Sequence, residues 1–109
     1  MSQHAKRVSQ VQNITAIIYD RRGRILSIGK NSYVKTHPLQ ARYAKACGEH
    51  QKVFLHAEIH AIARCRDLDK AHKMVITRFY VDGAPALAKP CKICQSAISQ
   101  TPIKIIEHT

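Results

Sequence analysis

Met74–Val81 (MVITRFYV), Asp82–Pro85 (DGAP) and Pro90–Cys94 (PCKIC) follow one another, and their reading decides the fold. The first run is β-branched and aromatic, so it predicts a strand in the interior of a sheet. Asp-Gly-Ala-Pro is turn chemistry and breaks it. Pro90 is suited to the first turn of a helix, which would carry Ile93, Ala97 and Ile98 on one side. Pro102 stops that helix, and Ile103–Ile106 predicts a last strand. Strand, helix and strand in succession imply a parallel crossover, with helices covering both faces of the sheet.

Working outward, Ile14–Tyr19 (ITAIIY) is almost wholly apolar and predicts a strand buried on both faces. The loop Asp20–Gly23 joins it to Arg24–Ile28 (RILSI), which makes a β-hairpin. Residues 29–37 are polar and irregular. Pro38 then opens a helix with Leu39, Tyr43 and Ala46 on one face and Gly48 as its stop. A second helix is expected from about Leu55 to Arg66, with Ile59, Ile62 and Ala63 as its apolar stripe. Weak spacing of Ala5, Val8 and Val11 predicts a short helix over residues 3–12. The sum is an α/β protein: a three-layer α/β/α domain, residues 1–109, on a mixed sheet of about four strands.

Composition narrows the function. The 45% hydrophobic and 23% charged content is that of a globular protein with a core, not a disordered tail. No apolar run reaches the roughly 18 to 20 residues that span a bilayer. The segment MSQHAKRVSQVQNI lacks the apolar stretch of a secretory signal, so a cytoplasmic protein is expected. Its four cysteines then favour metal binding or burial over disulfides. The net charge of +11 draws in phosphates and polyanions. It is unevenly spread: Arg21, Arg22, Arg24, Lys30, Lys35, Arg42 and Lys45 fall in a segment with no acid, as do Lys89, Lys92 and Lys104. Such segments read either as solvated surface or as a phosphate-attracting face.

The chemistry gathers in two short groups. Cys91 and Cys94 are spaced to share one helix face, beside the positive end of the helix dipole, which favours the thiolate that ligates metal. Alone, Cys-x-x-Cys reads equally as a redox dithiol or as half of a zinc knuckle. His56 adds a third donor, and three protein ligands leave a fourth zinc position open. Glu58 stands two residues further on. In mid-helix, positions i and i+2 face nearly opposite ways, so His56 and Glu58 meet at one site only where a helix begins. A rival reading adds His60, one helical turn from His56, and closes the site as a structural Cys2His2 zinc. It leaves Glu58 and Pro90 without a role. Cys47 and Cys65 read as packed small hydrophobes, and Tyr43, Phe79 and Tyr80 as core.

His56-Ala57-Glu58 with Pro90-Cys91-Lys92-Ile93-Cys94 matches the H-x-E…P-C-x-x-C pattern of zinc-dependent base deaminases. The chain resembles the cytidine deaminase-like superfamily, which includes cytidine, deoxycytidylate and tRNA-adenosine deaminases, and its element order agrees with that core from about Ile14 onward. The resemblance implies one zinc per chain on His56, Cys91 and Cys94, with Glu58 as proton shuttle in a hydrolytic deamination. It also implies that Asn31, after the second strand, contacts the sugar or base. Tyr33 and Phe54 are the aromatics placed to stack on a base, and Ala57 is a further expected substrate contact. Lys35, Lys89 and Lys92 are candidate phosphate contacts. Relatives generally continue with another helix and strand, whereas this chain ends at Thr109 after four expected strands. An unpaired last strand predicts a homo-oligomer. The substrate favoured is a cytosine nucleotide, converted to its uracil form in nucleotide metabolism. Single-stranded DNA or RNA is the competing substrate, although 6% aromatics and no Trp supply few stacking faces for a long strand. A small basic nucleic-acid-binding module with a structural zinc is the non-enzymatic alternative, and replacing Glu58 by Gln separates it from a deaminase.

Overall fold

The computed structural model describes residues 12–32, 34–48 and 54–109. Its elements are β1 (Gln12–Tyr19), β2 (Ile25–Lys30), α1 (Pro38–Ala46), α2 (Ala57–Arg64), a 3-10 turn at Leu68–Lys70, β3 (Lys73–Tyr80), α3 (Lys92–Ser99) and β4 (Ile105–His108). The helix expected over residues 3–12 lies outside the described residues, except that Gln12 opens β1.

The strands form a four-stranded sheet in the order β2-β1-β3-β4. β1 runs antiparallel to both neighbours, and β3 and β4 are parallel, joined by the α3 crossover. The mixed sheet, the hairpin and the interior position of β3 are as the sequence predicts. Register sets the faces. Ala16 pairs with Gly29 on one side and Ile76 on the other, and Ile18 with Ser27 and Met74. These six residues share one face and all are buried. The alternate residues Thr15, Ile17, Val75 and Thr77 are half-buried. β1 is therefore fully buried on one face rather than two: on the other, Ile17 pairs with Ile28, itself 41% exposed.

The described helices pack against one another, with α2 lying over β2 and β1 on the Ala16 face. Of the two expected helical layers, the described residues supply this one. The close fit of α2 to β2 depends on Gly29. A Cβ there would overlap both the Ala57 carbonyl oxygen and the Ala61 nitrogen, inside any allowed contact. Nearby, the Ser27 hydroxyl donates to the Ala61 carbonyl at 2.7 Å. The inward stripe of α2 is accordingly Ile59, Ala61 and Ile62, while Ala63 is exposed.

Three further expectations are corrected. α1 buries Gln40 and Ala44, with Leu39 and Tyr43 at its flanks and Ala46 exposed, because the helix rests on α2 and α3 rather than on the sheet. Phe79 is 38% exposed, because it alternates with Val75 and Thr77 on the face of β3 turned away from the described helices. β4 begins at Ile105 rather than Ile103 and is exposed along its length. The chain re-enters the sheet only after Lys104 N–H and Ile105 N–H have bonded to the His72 carbonyl. Cys47 and Cys65 are free thiols packed on the core, as expected. Thr109, beyond β4, ties several segments together. Its N–H donates to the Ile76 carbonyl, and its carbonyl accepts from Ala88 N–H. Its hydroxyl accepts from Arg78 N–H at 3.1 Å and donates to the Ala86 carbonyl at 2.6 Å. Among the described residues no helix is long and apolar enough to cross a membrane.

Candidate metal centre and its cavity

His56 is the N-cap of α2, with extended backbone (φ −83, ψ 152), and Glu58 sits one residue inside the helix. That break in helical geometry lets two residues at i and i+2 serve one place. Cys91 is likewise the N-cap of α3, one residue before the helix proper, and Cys94 lies in its first turn. The expected helix start at Pro90 therefore moves two residues on. Both helix N-termini meet, so unpaired backbone N–H groups and positive dipole ends surround the sulfurs.

The His56 Nδ1 lies 3.3 Å from Cys94 Sγ and 3.5 Å from Cys91 Sγ. All three donor atoms fall within 4.8 Å of one another. Zinc bonds of about 2.0–2.1 Å to nitrogen and 2.3 Å to sulfur, at tetrahedral angles, put the two donors about 3.6 Å apart. The set fits zinc in donor type and in spacing. Cys91 is held as a thiolate, its pKa pushed down to about 3, chiefly by the hydrogen bond from Cys94 and then by His56. Cys94 is pushed well above the ordinary thiol range by that same hydrogen bond and by its burial. A metal entering here displaces protons, so its affinity falls in acid. His56 N–H donates to Gln40 Oε1 at 3.2 Å, which fixes the ligand's backbone from α1.

His60 does not join this group. Its Nδ1 accepts from Lys30 N–H at 3.0 Å, on the far side of Asn31, so the closed Cys2His2 arrangement does not form.

A cavity of about 350 Å³ opens beside the donors, lined by Ile14, Asn31, Ser32, Phe54, His56, Glu58, Arg78, Lys89 and Cys91. Glu58 is 7% exposed, and burial pushes its carboxyl pKa up. Asn31 is anchored to the first strand: its Oδ1 accepts from Ile14 N–H at 3.0 Å, and its own N–H donates to the Ile14 carbonyl. Phe54 is 48% exposed at the wall. Of the expected site residues, the cavity thus gathers Asn31, Phe54, His56, Glu58, Lys89 and Cys91. Cys94 lies behind them and is buried, as is Ala57. Lys35 lines an adjoining cavity instead, and Lys92 is exposed on α3 outside both. Tyr33 lies outside the described residues. Sequence reasoning missed Gln40 and Arg78. A Gln inside an otherwise apolar helix stripe, and an Arg continuing the buried Met74–Ile76 alternation, were the signals available.

The family model for the cytidine and deoxycytidylate deaminase zinc-binding region matches residues 1–107. The chain belongs to this family of zinc-dependent hydrolytic deaminases, and among the described residues His56, Cys91 and Cys94 form a group able to hold one metal ion. No curated protein matches the chain.

Proposed function

We propose that the chain hydrolyses the exocyclic amine of a cytosine base carried on a nucleotide, giving the uracil form and ammonia. The observation that carries this reading is a buried carboxyl, Glu58, on the wall of a base-sized cavity that also exposes two of the three metal donors. When bound, zinc supplies the Lewis acidity that makes water nucleophilic at neutral pH. Glu58 would take a proton from the attacking water and pass it to the ring nitrogen, so that the ring carbon accepts the oxygen. It would then take the remaining proton from the hydroxyl formed on the ring carbon and deliver it to the amine, which leaves as ammonia. A carboxyl whose pKa is raised by burial suits both directions of transfer. Asn31, held by its two bonds to Ile14, would position the sugar or base, and Phe54 would cover a ring face. Lys89 on the cavity wall supports recognition of a phosphate. The exposed β4 edge supports the expected homo-oligomer.

Single-stranded DNA or RNA is a second reading, favoured by one observation. A neighbouring cavity of about 330 Å³ shares Asn31 and Ser32 with the first and is lined by Lys30, Lys35, His60 and Arg64, with no acid.

The test is Glu58→Gln. A deaminase keeps its zinc and its fold while ammonia release from cytosine nucleotides falls by about 10²–10⁴. Unchanged turnover, or a wild-type chain that deaminates none of cytidine, its 5′-phosphates or cytosine oligonucleotides, rejects the reading.

A further inference from the structure

We infer that Arg78 is the residue that reads a phosphate on the substrate, and so sets the preference for phosphorylated over bare nucleosides. This rests on the deaminase reading above and adds a specificity-determining side chain to it.

Arg78 lies opposite Ile14 in the sheet. It falls two residues beyond Ile76 and four beyond Met74, both fully buried, on the face turned to the helices. An aliphatic side chain would continue that pattern; a guanidinium interrupts it on the wall of the catalytic cavity. Its Nε–H is buried and meets no hydrogen-bond partner. A buried donor left without a partner is costly, and Nε–H with a neighbouring Nη–H is the fork that donates to two oxygens of a phosphate. Nor is the charge matched. The ion pairs among the described residues are Arg24 with Asp20 and Lys73 with Glu107, and neither involves Arg78 or Lys89. Among the described residues, the wall therefore holds two cations that form no ion pair, one a planar fork and the other a point charge.

The backbone that carries Arg78 is fixed. Its N–H donates to the Thr109 hydroxyl, and its carbonyl accepts from Ala86 N–H at 2.8 Å. A receptor held in place beforehand loses little freedom on binding. Glu58 lines the same cavity, and a carboxylate repels phosphate. The anion consequently settles toward Arg78 and Lys89, which turns the base toward Glu58 and the metal donors.

The phosphate can be the monoester of a free nucleotide or a diester within a strand, and the experiment separates them. Zinc-loaded wild type, Arg78→Gln and Arg78→Lys are assayed for kcat and KM on cytidine, deoxycytidine, their 5′-monophosphates and a short cytosine oligonucleotide. The adenine counterparts are run in parallel. Zinc content and circular dichroism check that the variants fold. Arg78→Gln is expected to raise KM for a phosphorylated substrate about ten- to hundredfold, with kcat and the bare nucleosides changed by less than about threefold. Arg78→Lys restores part of the loss, because charge returns without the fork. A response confined to the oligonucleotide upholds the phosphate role and assigns it to a strand. Equal losses on phosphorylated and bare substrates, or no loss on either, overturn it. Preference for adenine, or no turnover at all, counts against the cytosine deaminase reading instead. In that case the ratio of nucleotide to nucleoside affinity by calorimetry, wild type against Arg78→Gln, still decides the role of Arg78.

Discussion

Asp20 shapes the β1–β2 connection with a single carboxylate. Its Oδ1 accepts from Arg22 N–H and Arg24 N–H, both at 2.9 Å, and its Oδ2 accepts from Arg24 Nε. The hydrogen bond from the Arg24 backbone is the main cause holding its carboxyl below the ordinary value. A folded-state pKa below the unfolded one contributes stability above the unfolded value, near pH 4, and loses it as pH falls through the folded value. The melting-temperature gap between wild type and Asp20→Asn should therefore be present at neutral pH and close in more strongly acid solution. A gap independent of pH would show that the carboxylate charge is irrelevant. Legibility at this scale follows the range of each interaction. His56, Glu58, Cys91 and Cys94 could be read because their chemistry is written in short spacings. Gln40 could not, since its role is a hydrogen bond to His56 N–H sixteen residues away. Arg78 could not either, because only the register of β3 against β1 brings it to the cavity.

Among the elements, α2 and β2 form the contact on which the site rests. The approach permitted by Gly29 seats α2, whose N-cap is His56 and whose second residue is Glu58. Gly29→Ala would place a methyl group against helix backbone, which cannot yield as a flexible side chain can. The overpacking cost is about 1–3 kcal/mol, or roughly 4–8 °C of melting temperature per kcal/mol in a small domain. Calorimetry should show that fall, and elemental analysis a reduced zinc content as the His56 end shifts. Full zinc occupancy with an unchanged melting temperature would mean that the layers can part freely. The sequence marked these elements through Pro38, Gly48 and the apolar runs. It missed the starts of α2 and α3 by two residues, because His56 and Cys91 take the extended backbone of N-caps and stand outside the helices they precede.

Across the whole molecule, charge is arranged about both ends of the sheet. The cavity with His56 and Glu58 lies at the Ile14–Arg78 end of the β1–β3 pair, next to the acid-free cavity of Lys30, Lys35, His60 and Arg64. At the Tyr19–Lys73 end a separate cavity of about 410 Å³ is lined by Asp20, Arg21, Arg22, Arg24, Asp69, Lys70, His72 and Lys104, among others, remote from the metal donors. If the substrate is a nucleotide, as proposed, a net charge of +11 would extend phosphate attraction well past individual contacts. Raising salt from 50 to 300 mM should increase KM for a 5′-monophosphate several-fold and leave that for the bare nucleoside nearly constant. An oligonucleotide held across both cavities should respond more steeply, with a logarithmic slope near 0.7 for each phosphate contacted. Initial-rate measurements across that range check both expectations, and salt-independent KM values would show that the basic surface plays no part in binding. The class of fold and the basic character were evident from composition and pattern. How the charge divides between the two ends was not, since it depends on which strand termini lie together.

Thr109 stands between two of these features. Its hydroxyl bridges the Arg78 N–H and the Ala86 carbonyl, and its carbonyl receives Ala88 N–H, one residue before Lys89. It ties the strand that carries Arg78 to the segment that leads to Lys89. The segment it grips runs on directly into Pro90 and Cys91. A substitution there would register first as a changed tolerance for the bulk of the anion admitted, and only afterwards as slackened hold on the ion.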